Sequence, residues 1–150
     1  MKRIKRNGLL IVISSPSGTG KTTICKKLTD NDKNLHLSVS VTTRKKRDKE
    51  IEGVDYFFKS KIEFLKLKSE KLFIENATVF ENYYGTLKNQ VMKKLEKGID
   101  VIIDIDWQGT KQIKSQNIKY KIITFFVLPP SKEVLFERLS NRDMQDKLIA

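Results

Sequence analysis

Lys21 and Thr22 follow two closely spaced glycines in the run Ser15-Pro16-Ser17-Gly18-Thr19-Gly20-Lys21-Thr22, and residue types in that order suit the capture of a polyphosphate. Glycines at 18 and 20 let the backbone turn its N–H groups toward one point, and a helix N-terminus directly after them adds a positive dipole end. Lys21 can then reach the β- and γ-phosphates of a nucleotide, while the Thr22 hydroxyl can ligand Mg²⁺. Ser17, Gly18, Thr19, Gly20 and Thr23 complete the nucleotide-binding set expected here. Ser15 stands where the common pattern has glycine. A glycine-rich turn alone would explain the glycines but not the lysine.

Two further groups could act with this loop. Arg44 and Arg47, three apart after the hydroxyl-rich stretch 37–43, offer a fork for a second phosphate group. By composition alone, 44–50 reads as a solvated basic turn. Asp104 and Asp106 close the apolar run 101–106, where a carboxylate can hold Mg²⁺ or its water ligands. A strand-end aspartate equally often caps a helix, and for Asp104 both readings stand open.

The elements that must position these residues follow from pattern. The β-branched run 9–13 predicts a strand buried on both faces, and 22–28 a helix. Polar residues 29–34 end that helix, and 37–43 alternates as a half-exposed strand does. A strand over 54–58, an amphipathic helix with Ile62, Phe64, Leu65 and Leu67, short strands at 72–75 and 77–80, and a turn at 82–86 follow. A helix over 87–97 stops at Gly98. Strands at 101–106 and 122–128 resume the β–α alternation, and Ser131 is a natural N-cap for a helix through Leu139. The middle block reads as an insertion on a parallel sheet, and ligands of such sheets gather outside the C-terminal ends of the strands.

Composition narrows the classes. With 150 residues and 39% apolar side chains the chain is the size of one domain with a real core. No apolar run approaches a membrane span, and the basic start flows into the glycine loop without a cleavage site, so a cytoplasmic protein with no membrane partner is expected. One cysteine, Cys25, rules out an internal disulfide and fits a reducing compartment. His36 is the one histidine, beside a predicted loop, so no histidine-based triad or metal cluster can be built. The net charge of +12 demands that an anionic partner be considered, but the lysines are scattered and no nucleic-acid module is present, so nucleic acid is not expected as ligand.

Taken together, these residues closely resemble guanylate kinases, over nearly the whole chain from Leu9 to Arg142. The resemblance rests on 15–22, Ser-Val-Ser-Val-Thr-Thr-Arg at 38–44, Asp55-Tyr56-Phe57-Phe58, Phe73-Ile74-Glu75, Asn82-Tyr83-Tyr84-Gly85-Thr86, Asp104-Ile105-Asp106-Trp107-Gln108-Gly109 and Pro129-Pro130-Ser131. That family often lacks glycine at the first loop position, which accounts for Ser15.

The resemblance implies an α/β fold, a P-loop NTPase-type parallel sheet flanked by helices, with an inserted mixed α+β subdomain for the nucleoside monophosphate. It places the core at about 1–36 and 87–138, the insertion at 37–86 and a partial lid from 138. It further implies Mg-dependent transfer of the γ-phosphoryl group of ATP to GMP or dGMP. Ser40, Arg44, Arg47, Tyr56 and Tyr84 match the family's phosphate-holding positions, and Glu75, Thr86 and Asp106 its guanine-reading ones. Glu50 matches an acidic residue of the same pocket, Lys21 and Arg44 catalytic positions, and Arg138 and Arg142 lid arginines. Thr22 and Asp104 match the positions around Mg²⁺. Family members continue through a further lid segment, a strand and a helix, so less turnover is expected of residues 1–150 than of a longer form, with the GMP pocket complete. The alternatives are a fragment that binds GMP only, or an interaction module of the same fold. Such modules usually lose the loop lysine, which is present here.

Overall fold

The computed structural model describes residues 5–149, with side chains through Arg142. In chain order the elements are β1 (Leu10–Ser14), α1 (Lys21–Asn31), β2 (Leu35–Leu37), β3 (Ser40–Thr42), β4 (Tyr56–Phe58), α2 (Lys61–Ser69), β5 (Phe73–Val79), β6 (Asn82–Leu87), α3 (Lys88–Glu96), β7 (Asp100–Asp104), α4 (Trp107–Ser115), β8 (Ile122–Phe126) and α5 (Lys132–Ile149). The strands form two four-stranded sheets among the described residues.

The first sheet, ordered β2-β7-β1-β8, is parallel throughout. Helices cover both its faces, so its central strands carry apolar side chains on both sides. Leu10, Val12, Val101 and Ile103 point to one side, where Val91 and Leu95 of α3 and Ile113 of α4 close the core. Ile13 and Ile102 point to the other, against Cys25 of α1. Each fully buried Val or Ile contributes about 1.5–3 kcal/mol, so β1 and β7 are the least yielding part of the molecule. Burial pushes the Cys25 thiol up to about 12, and it packs as a small apolar residue.

The second sheet, ordered β4-β3-β6-β5, is mixed: β3 runs parallel to β4 and antiparallel to β6, which pairs antiparallel with β5. Its tie to the first sheet lies on the β5 side, where Ile74 joins the core formed with α3 and α4. Phe64 of α2 stacks between Phe73 and Tyr83 and anchors that helix. The capping box of Ser60 and Glu63 starts it.

Several expectations are corrected. The stretch 37–43 is two strands: β2 belongs to the first sheet and β3 to the second, and the chain passes between them through Ser38 and Val39 alone. His36 therefore lies in a strand, not beside a loop, where burial lowers its pKa. The short strands predicted at 72–75 and 77–80 are one strand, β5, with an irregular register between Phe73 and Glu75.

Residues 82–86 are not a turn but strand β6; the turn is Phe80-Glu81, both at positive φ of 46° and 64°. Two left-handed residues suit the twist of a two-residue hairpin, and here neither is the glycine or asparagine that would have marked it. The strand predicted at 101–106 ends at Asp104, and Asp106 caps α4. The predicted amphipathic face of α2 buries Phe64 but leaves Ile62 82% exposed.

Candidate active site

Both sheets end at one cleft of about 760 Å³, lined by the 15–24 segment on one side and by Ser40, Tyr56, Glu75 and Tyr84 on the other. A side chamber of about 260 Å³ opens between Arg44, Arg47, Glu50 and Tyr56. Thr22, Ser40, Tyr56, Asp104 and Arg142 line both, so the two spaces meet at the C-terminal end of β7.

The loop between β1 and α1 is built to expose its backbone. Gly18 and Gly20 take φ of 84° and 86°, conformations that L side chains rarely adopt. The Thr19 hydroxyl donates to Pro16 O (3.0 Å) and to Ser15 Oγ (2.5 Å), so both side chains serve to hold the loop. This gives Ser15 a structural role. Lys21 is the first residue of α1, where its ammonium donates to Ile105 O (2.8 Å) and pairs with Asp104 Oδ1 (2.8 Å). Thr22 Oγ1 donates to the other oxygen of Asp104 (2.9 Å). Asp104 is thus the group that faces the loop, and of the two aspartates it is Asp106 that caps a helix, accepting from Gly109 N (3.1 Å). Ser17 and Thr23 are exposed at the loop's mouth. Arg138 of α5 reaches over the loop to Thr19 O (3.1 Å), and Arg142 lines both spaces.

Across the cleft, Arg44 meets Glu50 in a two-point pair of 2.6 and 3.1 Å, and Glu50 also accepts from Arg47 N (2.8 Å). Burial opposes ionisation of Glu50, but those bonds hold its carboxyl below the usual carboxylate range. The Arg44 guanidinium lies 5.3 Å from the Tyr56 ring centre, and Tyr56 meets Tyr84 edge-on at 6.1 Å. Desolvation pushes the Tyr56 phenol up to about 12, so it is a proton donor at neutral pH. The basic turn 44–50 has two sides: Arg44, Arg47 and Glu50 form a wall of the chamber, while Lys45, Lys46, Asp48 and Lys49 are solvated as composition suggested.

Glu75, in β5, is 3% exposed. Its Oε1 accepts from Thr86 Oγ1 (2.5 Å) across the β5–β6 pair, and Ser40 Oγ lies 3.5 Å from the same hydroxyl. Burial is the main cause that pushes the Glu75 carboxyl up, to about 7, with Asp106 adding to it and the Thr86 bond opposing. A Cβ on Gly109 would collide with Glu75 Oε2, so glycine there makes room for the carboxylate. Sequence reading assigned Gly109 no role, although it stood in a quoted motif. Ser38 was missed too: its hydroxyl is buried without a hydrogen-bond partner, beside the side chamber.

Among the described residues, no three His, Cys, Asp or Glu side chains cluster as a metal cage. A Thr hydroxyl against an Asp carboxylate, with the Ser38 hydroxyl in the adjoining chamber, does fit a cation that keeps waters and phosphate oxygens as its other ligands. No helix among the described residues is long and apolar enough to cross a membrane.

A glycine loop at a helix N-terminus, facing a basic and phenolic pocket across the ends of a parallel sheet, defines a nucleotide-binding phosphotransferase. Comparison narrows this class. Residues 7–149 match the family profile described as guanylate kinase. A guanylate kinase of Rickettsia felis is 50% identical over 139 residues, spanning 93% of this chain and 71% of that protein. One from Caldanaerobacter subterraneus is 48% identical over 96% of this chain and 69% of its own length. The crystal structure of guanylate kinase from Anaplasma phagocytophilum superposes with a TM-score of 0.75 at 34% identity, covering 95% of this chain and 72% of that one. The chain belongs to the guanylate kinase family, and with it to the kinases that phosphorylate GMP.

Proposed function

We propose that this chain binds the donor ATP at the loop 15–23 and the acceptor GMP or dGMP between Arg44, Arg47, Tyr56, Tyr84 and Glu75, and transfers the γ-phosphoryl group between them in the cytoplasm. The observation that carries this reading is the meeting of both spaces at Thr22 and Asp104, which would bring two phosphate groups within reach of each other. An acceptor-phosphate oxygen forms a bond to the γ-phosphorus as the bond from that phosphorus to the β–γ bridging oxygen breaks. The products are ADP and a nucleoside diphosphate. Such a reaction asks the protein mainly to position and to neutralise charge.

Lys21 leaves Asp104 for the β- and γ-phosphates, and the loop amides take the remaining oxygens. Bound at Thr22 and Asp104, Mg²⁺ would offset the charge on the donor phosphates. Arg44 and Arg47 hold the acceptor phosphate, with Ser40, Tyr56 and Tyr84 as neutral donors; Glu50 keeps Arg44 aimed. Arg138 and Arg142, on the helix above the loop, add positive charge over the transferring group. Glu75 accepts from the ring N–H and amino group of guanine, with Thr86 and Asp106 beside it. Adenine offers no such pair, and would leave a buried carboxylate unpaired.

We also read residues 37–86 as the acceptor-binding insertion, and 1–36 with 87–138 as the core. A coupled ADP-release assay with GMP, dGMP, AMP and UMP as acceptors tests the proposal. Turnover is expected with GMP and dGMP, and at least about 10²-fold less with AMP and UMP. Comparable rates with AMP would overturn the guanine assignment.

A further inference from the structure

β5 is an edge strand, yet the side turned away from β6 is not left bare. Gln108 Nε2 donates to Thr78 O (3.1 Å), and Gln112 donates to Asn76 O (2.5 Å) while its Oε1 accepts from Asn76 N (2.9 Å). Gln116 Nε2 donates to Ile74 O (2.6 Å). The glutamines sit four apart on or just past α4, and their partners two apart on β5. Four residues of helix rise about 6 Å and two residues of strand about 6.7 Å, so the two repeats run nearly in step. A row of side-chain amides therefore does what a neighbouring strand would do at that edge.

The strand so gripped is the one that carries Glu75, between Ile74 and Asn76. The helix that grips it carries Asp106 at its cap and Gly109 beside Glu75 Oε2. Gln108 also donates to Asp106 Oδ2 (2.9 Å). We propose that Gln108, Gln112 and Gln116 are positioning residues for base recognition: by tying the β5 backbone to α4 they hold the Glu75 carboxylate at a fixed place against Asp106, and so set the preference for guanine. This rests on the assignment of Glu75 as the group that reads the base.

A second donor on the base is what a fixed carboxylate can exploit. Inosine monophosphate keeps the ring N–H of guanine and lacks the 2-amino group, so a loosened β5 should cost GMP more than it costs the inosine analogue. The test is calorimetric titration of the full chain with both nucleotides. The unaltered chain should prefer GMP, and Glu75→Gln should remove most of that preference. Gln112→Met, which keeps length and loses both hydrogen bonds, should weaken GMP roughly tenfold and the analogue much less. Gln116→Lys, which keeps a donor for Ile74 O, should leave the preference near that of the unaltered chain.

If Glu75→Gln lowers the preference and Gln112→Met does not, the ladder has no part in recognition. An equal loss for both nucleotides in Gln112→Met, in step with lowered thermal stability, would reduce the ladder to a structural brace and overturn the inference. If Glu75→Gln leaves the preference untouched, the base-reading assignment itself fails and this inference falls with it. Should Gln112→Met not fold, Gln116→Met, which loses the bond to Ile74 O and leaves the Gln108–Asp106 bond in place, decides by the same comparison.

Discussion

In the proposed role Glu75 has to be charged to accept two hydrogen bonds from guanine, yet its surroundings keep the carboxyl protonated up to about pH 7. A raised carboxyl means that binding the base must release a proton at acidic pH. The affinity for GMP should therefore rise with pH between 6 and 8 and level off above. At pH 6 only about a tenth of the carboxyl is ionised, so the affinity should lie roughly tenfold below its plateau. The acceptor phosphate also ionises near about 6, and Glu75→Gln separates the two effects by removing the carboxyl alone. A GMP titration as steep in that variant as in the parent would show that Glu75 does not govern the pH dependence. At this scale much was legible in the sequence. Lys21, Thr22, Arg44 and Arg47 are conspicuous by type and spacing. Glu75 is not: within Phe73-Ile74-Glu75-Asn76 nothing but the family resemblance separates it from an ordinary surface glutamate, because its burial depends on α4, packed from thirty-odd residues away. Gly109 and Ser38 were invisible for the same reason, since each owes its meaning to a neighbour distant in the chain.

Strands β1, β7 and β8 of the first sheet, unlike the three-residue β2, followed from local pattern because long apolar runs form strands whatever their partners. Those of the second sheet followed only in part: β4 and β5 fall where strands were expected, but β6 was read as a turn. β3 and β4 are three residues each, and the hairpin between β5 and β6 turns on Phe80 and Glu81, which carry no turn signal. The glutamines on and just past α4 carry no local sign of their role as hydrogen-bonding partners of β5. The geometry of that helix yields a further expectation. Gly109→Ala would gain about 1 kcal/mol in helix propensity, but its methyl group meets the Glu75 carboxylate and the Ile105 side chain, an overpacking cost of about 1–3 kcal/mol. Overpacking should win, lowering unfolding stability by about 1 kcal/mol and displacing Glu75 enough to weaken GMP binding. Denaturant unfolding and GMP titration check this together. A variant both more stable and unchanged in GMP affinity would show that the site yields freely.

Over the whole molecule, the two walls of the proposed acceptor pocket are held unequally. The wall that carries Glu75, β5, is bound to α4 by amides and to the core by Ile74. The wall that carries Arg44, Arg47 and Tyr56 rests on β3 and β4, tied to β5 at one remove through the β3–β6 pairing and to the first sheet through Ser38-Val39 and an ion pair between Lys26 and Asp55 (2.7 Å). A half-exposed pair of that kind stabilises by no more than about 1 kcal/mol, so this wall should be the mobile one. Amide hydrogen exchange should accordingly show β5 protected with or without GMP, and gains in protection on adding GMP confined to residues 40–58. Gains concentrated in β5 would reverse the assignment of fixed and moving walls. The crossing from β2 to β3 also limits how the gene can vary. Side chains alternate along a strand, so adding or losing a single codon between Leu37 and Ser40 would turn Ser40, Val41 and Thr42 inside out, whereas the segment before Tyr56 has slack to absorb such a change.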